Sequence, residues 1–143
     1  MNDTGTAARR DPARVMFDDD RASRALGIEL LDTAPGRARA RMRITDAMVN
    51  GHGIAHGGYI FLLADTAFAC ACNGHGPTTV AAGADITFVR SARCGDVLIA
   101  RAEERVRYGR SGIYDVSVHR GDELIAEFRG HSRTLRNAEG ADS

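Results

Sequence analysis

The sequence predicts an α+β domain: an antiparallel sheet wrapped around one long central helix. Two observations carry that prediction. Most of the chain beyond residue 28 alternates apolar and polar residues with a period of two, as strands with one covered face do. A single run, Tyr59 to Asn73, breaks the alternation and is apolar almost all round, as a helix without a solvated side is. One such helix among six strands is best covered by laying the sheet over it.

The elements follow in order. Residues 1–15 are polar and small and read as a flexible arm, and residues 137–143 as a disordered tail. Residues 16–136 form the domain. Asp20 to Leu26 suits a short helix with an acidic start and Gly27 as its stop. Ile28 to Leu31 is a first strand, and Pro35-Gly36 a turn. In the next strand Arg37, Arg39, Arg41 and Arg43 alternate with Ala38, Ala40, Met42 and Ile44, so arginines take one face and apolar residues the other. The Gly-rich loop Val49 to Gly58 leads into the central helix, which Asn73-Gly74 ends. Four longer strands follow, with Val80, Ala82, Ala84, Ile86 and Phe88 on one face of the first. The next three present Leu98, Ala100, Ala102 and Val106; then Tyr114, Val116 and Val118; then Leu124, Ala126 and Phe128. Gly-containing turns separate them. The uncovered sheet face and its edges invite self-association.

At 143 residues, 43% hydrophobic and 27% charged, the chain suits one domain that buries a core without staples. Nineteen basic and nineteen acidic residues cancel, which argues against nucleic acid as the main partner. Three cysteines, Cys70, Cys72 and Cys94, have no framework spacing and read as reduced thiols of a cytoplasmic protein. The stretch Tyr59 to Cys72 is too short to span a bilayer, and neither secretion nor membrane insertion is expected.

Asp65 stands in the middle of the apolar helix. Carboxylates are seldom buried without a partner, so it either pairs with an arginine or caps a turn, or it serves as a catalytic carboxylate whose proton affinity desolvation raises. The Gly-rich loop delivers the amides of Gly57 and Gly58 to the helix start, where they suit an oxyanion, a phosphate, or merely the turn. His52 and His56 have the spacing of a metal pair but lie in a loop, without the motif that would make them ligands, so no metal is expected. No Gly-x-Ser-x-Gly elbow is present. Cys70 and Cys72 read as buried small hydrophobes. Arg90, Ser91 and Arg93 follow a strand end, where arginines suit phosphates or a plain surface loop.

The run from Asn50 to Ala69, with Asn50-Gly51, His56-Gly57-Gly58 and Ala64-Asp65-Thr66-Ala67, resembles the signature of hotdog-fold acyl-CoA thioesterases, most closely the phenylacetate-degradation (hydroxyphenylacetyl-CoA thioesterase) branch. Asp85 to Arg90 and Phe128 to Gly130 resemble that branch too. The resemblance implies that Asp65 attacks the thioester or activates the attacking water. It implies that the Gly57 amide binds the thioester oxygen, with His56 and Asn50 positioning it, and that Thr66 orients the water. Gly58 and Phe61 join Thr66 as residues that meet the substrate, and Arg90, Ser91 and Arg93 are candidates for holding the CoA end. It further implies a homodimer with shared active sites, paired again into a homotetramer, and no cofactor beyond the CoA of the substrate. Within one helix Gly57 and Asp65 lie about 12 Å apart by rise, too far to act on one carbonyl, which favours a facing subunit. A broad-specificity acyl-CoA thioesterase, a hydratase of the same fold and a non-catalytic acyl-CoA binding module are the competing expectations. In place of the more mixed polar segment expected of this branch, the chain has Asp18-Asp19-Asp20, so a different acyl preference is open if that segment touches the acyl group.

Overall fold

The computed structural model describes residues 11–136. Two short helices, α1 (Pro12–Asp18) and α2 (Arg21–Ala25), precede strands β1 (Glu29–Ala34) and β2 (Arg37–Arg43). A single 3-10 turn (Asp46–Met48) and the Gly-rich loop lead to α3 (Gly57–Asn73). Strands β3 (Thr79–Phe88), β4 (Val97–Tyr108), β5 (Ser111–Arg120) and β6 (Glu123–Thr134) complete one six-stranded antiparallel sheet in the order β1-β2-β4-β5-β6-β3. It is the hotdog arrangement that the sequence predicts.

The alternation in β2 works as read. Ala38, Ala40 and Met42 are buried against α3, while Arg39 and Arg41 stay outside and pair with Asp32 and Glu29 of β1 at 2.6 Å. These exposed pairs add little stability. The core lies between the inner faces of β2, β4, β5 and β6 and the helix residues Leu63, Ala64, Ala67, Phe68 and Ala71. Full burial of Leu63 or Phe68 contributes roughly 1.5–3 kcal/mol. Gly130 explains how close the sheet comes: a Cβ there would lie 2.8 Å from the Phe68 ring.

Four details differ from the sequence reading. The first concerns the arm. Pro12 to Arg14 belong to α1, which starts with proline at its first turn and Asp11 capping Ala13. Ala13 and Phe17 are buried, and Arg14 donates to the Leu30 carbonyl, so burial of one apolar stripe holds this segment. The remaining arm residues, 1–10, and the tail lie outside the described residues.

The other three details come from β-bulges, which insert one residue and exchange the faces beyond them. A bulge between Glu104 and Val106 turns Val106 outward, while Glu104, before the bulge, keeps the inward phase of Leu98, Ala100 and Ala102 and lies opposite Tyr114. A bulge between Val118 and His119 places Ile125, not Leu124, in the core. A bulge between Ala81 and Gly83 removes Val80 and Ala82 from the face that Ala84, Ile86 and Phe88 share. Strand β3 is also nearly bare: Val80 is 42% and Phe88 49% exposed, at an edge paired only with β6.

Candidate active site

The loop before α3 is built by short-range hydrogen bonds. The Asn50 side-chain oxygen accepts from the amides of His52 (2.9 Å) and Ile54 (3.2 Å), and its own amide donates to the Ile54 carbonyl. Beyond it, the Ala55 amide donates to Ala92 and the His56 amide to Met48, both at 2.7 Å. The loop is thereby pinned to the segment after β3 and to the 3-10 turn. Its last residue, His56, is the N-cap of α3.

At the start of a helix the first amides have no carbonyl to meet. Here His56 Nδ1 accepts from Gly58 at a long 3.4 Å. The Gly57 amide is left without an acceptor among the described residues, where the helix contributes partial positive charge. Gly57 lies against the Phe88 ring, so a Cβ there would come within 2.8 Å of it. Glycine is required by this approach and not by its backbone angles. Gly57 lines an open cleft of about 310 Å³ with Ile54, Ile60, Phe88, Arg90 and Ser91.

Asp65 sits two turns further along the stripe of α3 that the sheet leaves half-open, together with Gly58, Phe61, Leu62 and Ala69. Among the described residues its carboxylate makes no hydrogen bond and no ion pair. Burial raises its proton affinity, and the neighbouring Asp20 carboxylate raises it further. Of the arrangements open to this residue, pairing with an arginine or capping a turn is absent among the described residues, and a half-buried carboxylate without a partner remains.

The other expected residues divide. Phe61 borders the same stripe and packs edge-on against Phe128, with ring centroids 5.3 Å apart. Arg90 and Ser91 reach the cleft, but the Arg90 guanidinium donates to the Leu124 carbonyl at 2.8 Å. Arg93 lies outside the cleft lining; its backbone forms a bridge with Ile54 and its amide donates to Asp96. Thr66 is corrected. It is buried, and its hydroxyl is engaged by Ser23 (2.7 Å) and the Leu62 carbonyl (2.9 Å), so it has no free hydrogen for a substrate water. Burial pushes the Cys70 and Cys72 thiols up to about 12, which rules them out as nucleophiles near neutral pH. Among the described residues no group of three His, Cys, Asp or Glu side chains is gathered as metal ligands would be.

Two residues escaped the sequence reading. Phe88 fell into a strand face by its spacing, although it forms the wall beside Gly57. Ser23 gave no signal at all. A larger cleft, about 540 Å³, lies beside β2 and β4 among Asp32, Arg37, Arg39, Arg101 and Glu103. It contains neither the helix start nor the unpartnered carboxylate, so size is a poor guide here.

The thioesterase superfamily model matches residues 52–127, which span the loop, α3 and most of the sheet. The chain belongs to the thioesterase superfamily. As a member of that superfamily it is a thioester hydrolase. It is 40% identical over 124 residues to the acyl-coenzyme A thioesterase PaaI of Escherichia coli, covering 86% of this chain and 89% of that protein. The structure of E. coli PaaI, from the phenylacetic acid degradation operon, superimposes with a TM-score of 0.85 at 39% identity, over 87% of this chain and 91% of that one. A mutant of phenylacetic acid degradation protein PaaI from Thermus thermophilus gives 0.79 at 36% identity, over 81% and 100%. No helix among the described residues is long and apolar enough to cross a membrane.

Proposed function

We propose that this thioesterase hydrolyses acyl-CoA thioesters, with phenylacetyl-CoA or its ring-hydroxylated relatives as substrates, in phenylacetate degradation in the cytoplasm. The observation that carries the proposal is the pair of unpartnered groups on α3: the Gly57 amide at its start and the half-buried Asp65 carboxylate. The first suits an oxygen that gains negative charge; the second suits a proton acceptor or nucleophile. The likeness to PaaI supports the substrate class.

In this mechanism the Gly57 amide receives the thioester carbonyl oxygen. Asp65 takes a proton from water as that water attacks the carbonyl carbon; in the direct route Asp65 itself attacks, and water then hydrolyses the mixed anhydride so formed. The carbon–sulfur bond breaks, the CoA thiolate leaves and is protonated, and the free acid remains. The cleft beside Phe88, Arg90 and Ser91 holds the pantetheine side of the substrate. His56 orients the helix start by holding Gly58, and Asn50 shapes the loop.

Gly57 and Asp65 of one chain are separated by about 12 Å of helix. The active site is therefore shared: Asp65 faces Gly57 of a second copy across the bare β3 edge and the half-open stripe of α3, and two such dimers form a tetramer. The test is thiol release from arylacetyl-CoA and aliphatic acyl-CoA substrates. Fastest release from arylacetyl-CoA is expected. Equal rates across the panel would point to a broad-specificity enzyme, and no release from any member would leave a binding module. Mixing two inactive variants, one altered at Asp65 and one at Gly57, should restore activity if the sites are shared.

A further inference from the structure

The hydroxyls of Ser23 and Thr66 are both buried and lie 2.7 Å apart, 43 residues apart in sequence. Ser23 belongs to α2, and Thr66 follows Asp65 on α3. Asp20, the N-cap of α2, holds Ser23 twice: one carboxylate oxygen accepts from the Ser23 amide at 2.9 Å, the other from its hydroxyl at 2.6 Å. Polar contacts thus run from Asp20 through Ser23 to Thr66, whose single hydroxyl hydrogen is shared between Ser23 and the Leu62 carbonyl, one turn before the residue that carries the chemistry.

We propose that Asp20 is a positioning residue for Asp65: it anchors the α2 hydroxyl to the centre of α3 and sets a second carboxylate beside the first, and so governs the charge state in which Asp65 meets its substrate. The inference rests on the reading of Asp65 as the catalytic carboxylate and deepens it.

Three observations support it. Asp, Asn and Ser cap helices about equally well, so capping α2 does not require a charge. A second carboxylate beside one already desolvated works against the fold, and such arrangements cluster at functional sites. Among the described residues of one chain, Asp20 is the one charged group that bears on Asp65 from a neighbouring element, and none of the arginines of the sheet compensates it; on its own helix Asp65 acts on Cys72, whose thiol burial keeps protonated. Within one chain, removing the charge of Asp20 leaves desolvation alone to raise the Asp65 proton affinity.

Asp20→Asn is the decisive variant, because asparagine keeps the cap through its oxygen and meets the Ser23 hydroxyl with its NH2 as donor in place of acceptor, while removing the charge. The acid limb of the pH profile of kcat/KM should move to lower pH, since Asp65 then ionises more readily. Asp19→Asn removes an equal charge one residue away and should leave the limb in place. The Asp65 carboxyl titration, followed by carbon NMR in wild type and Asp20→Asn, should move in the same direction as the limb. Ser23→Ala, which cuts the chain without removing charge, should raise KM or lower kcat with a smaller displacement of the limb. An unmoved carboxyl titration in Asp20→Asn, with Asp65→Asn inactive, overturns this inference alone. An active Asp65→Asn variant overturns the reading of Asp65, and the inference falls with it. Equal displacement by Asp19→Asn would reduce Asp20 to general surface charge and also overturn it.

Discussion

The two ends of α3 carry the same kinds of group in opposite conditions. At the C-terminal end every polar side chain is answered. Asn73 donates to the carbonyls of Ala69 and Thr79 at 2.9 Å and accepts from the Thr79 amide. Glu104, the last inward residue of β4 before its bulge, meets His75 at 2.7 Å and the Tyr114 hydroxyl at 2.9 Å. Burial alone would raise the proton affinity of Glu104; the hydrogen bonds from His75 and Tyr114 outweigh it and hold the carboxyl below the usual glutamate range. At the N-terminal half Asp65 has burial and a like charge but no donor, and it is held above the usual range. Burial with partners lowers a carboxyl's proton affinity, and burial without them raises it.

That contrast can be broken at either end. The largest effect belongs to Asp65→Asn, which should lower kcat by about 10²–10⁴-fold, the range lost with a general base, while the circular dichroism spectrum stays that of the wild type. Gly57→Ala comes next. Its Cβ collides with the Phe88 ring and displaces the one unpartnered amide, so turnover should fall about 10²-fold, the loss typical of one oxyanion donor. Adding Phe88→Leu should recover part of that rate; if it recovers none, the collision is not the cause.

At the closed end the loss is in stability. Asn73→Ala leaves the buried Thr79 amide and carbonyl unanswered and should cost about 2–3 kcal/mol in urea unfolding, with kcat unaltered. Glu104→Gln should cost somewhat less, about 1–2 kcal/mol at pH 7. The sign follows from linkage. The folded state holds Glu104 below its unfolded value, so its contribution is present above the ordinary glutamate range and disappears as the pH falls through the depressed value. The smallest effect distinguishes the two carboxylates directly. Asp65 is raised in the folded state, so its ionisation opposes folding at neutral pH. Asp65→Asn should therefore be slightly more stable than wild type at pH 7, with the difference vanishing below the ordinary aspartate range. A destabilised Asp65→Asn variant would reveal a partner for that carboxylate.

Much of this was legible in the residue order. The strand faces of β2 and β5, the extent of α3, and the coincidence of a Gly-rich loop with a carboxylate inside an apolar helix are local patterns. So is the signature run from Asn50 to Ala69, which led to the hotdog fold and the thioesterase family before any coordinates. The face assignments failed at Val106, Leu124 and Val80, because a bulge inserts one residue that no period-of-two count foresees. The arm boundary failed at α1 because a seven-residue helix with two buried side chains is held by packing and has little periodicity of its own. The contact of Thr66 was not legible, because its neighbour in sequence is Asp65, whereas its partner in space is Ser23.

By itself, then, the sequence determined which residues alternate, where the single apolar helix runs, and that Gly57 and Asp65 stand about two turns apart on it; pleat and helix period are properties of consecutive residues. The tertiary structure alone decided which polar groups find partners. Glu104 is satisfied by side chains from β5 and from just beyond the end of α3, Asp65 is left bare, and Asp20 is brought to it from another helix. Hydrogen bonding and desolvation depend on distances between residues far apart in the chain, and those distances exist only once the sheet has closed over the helix.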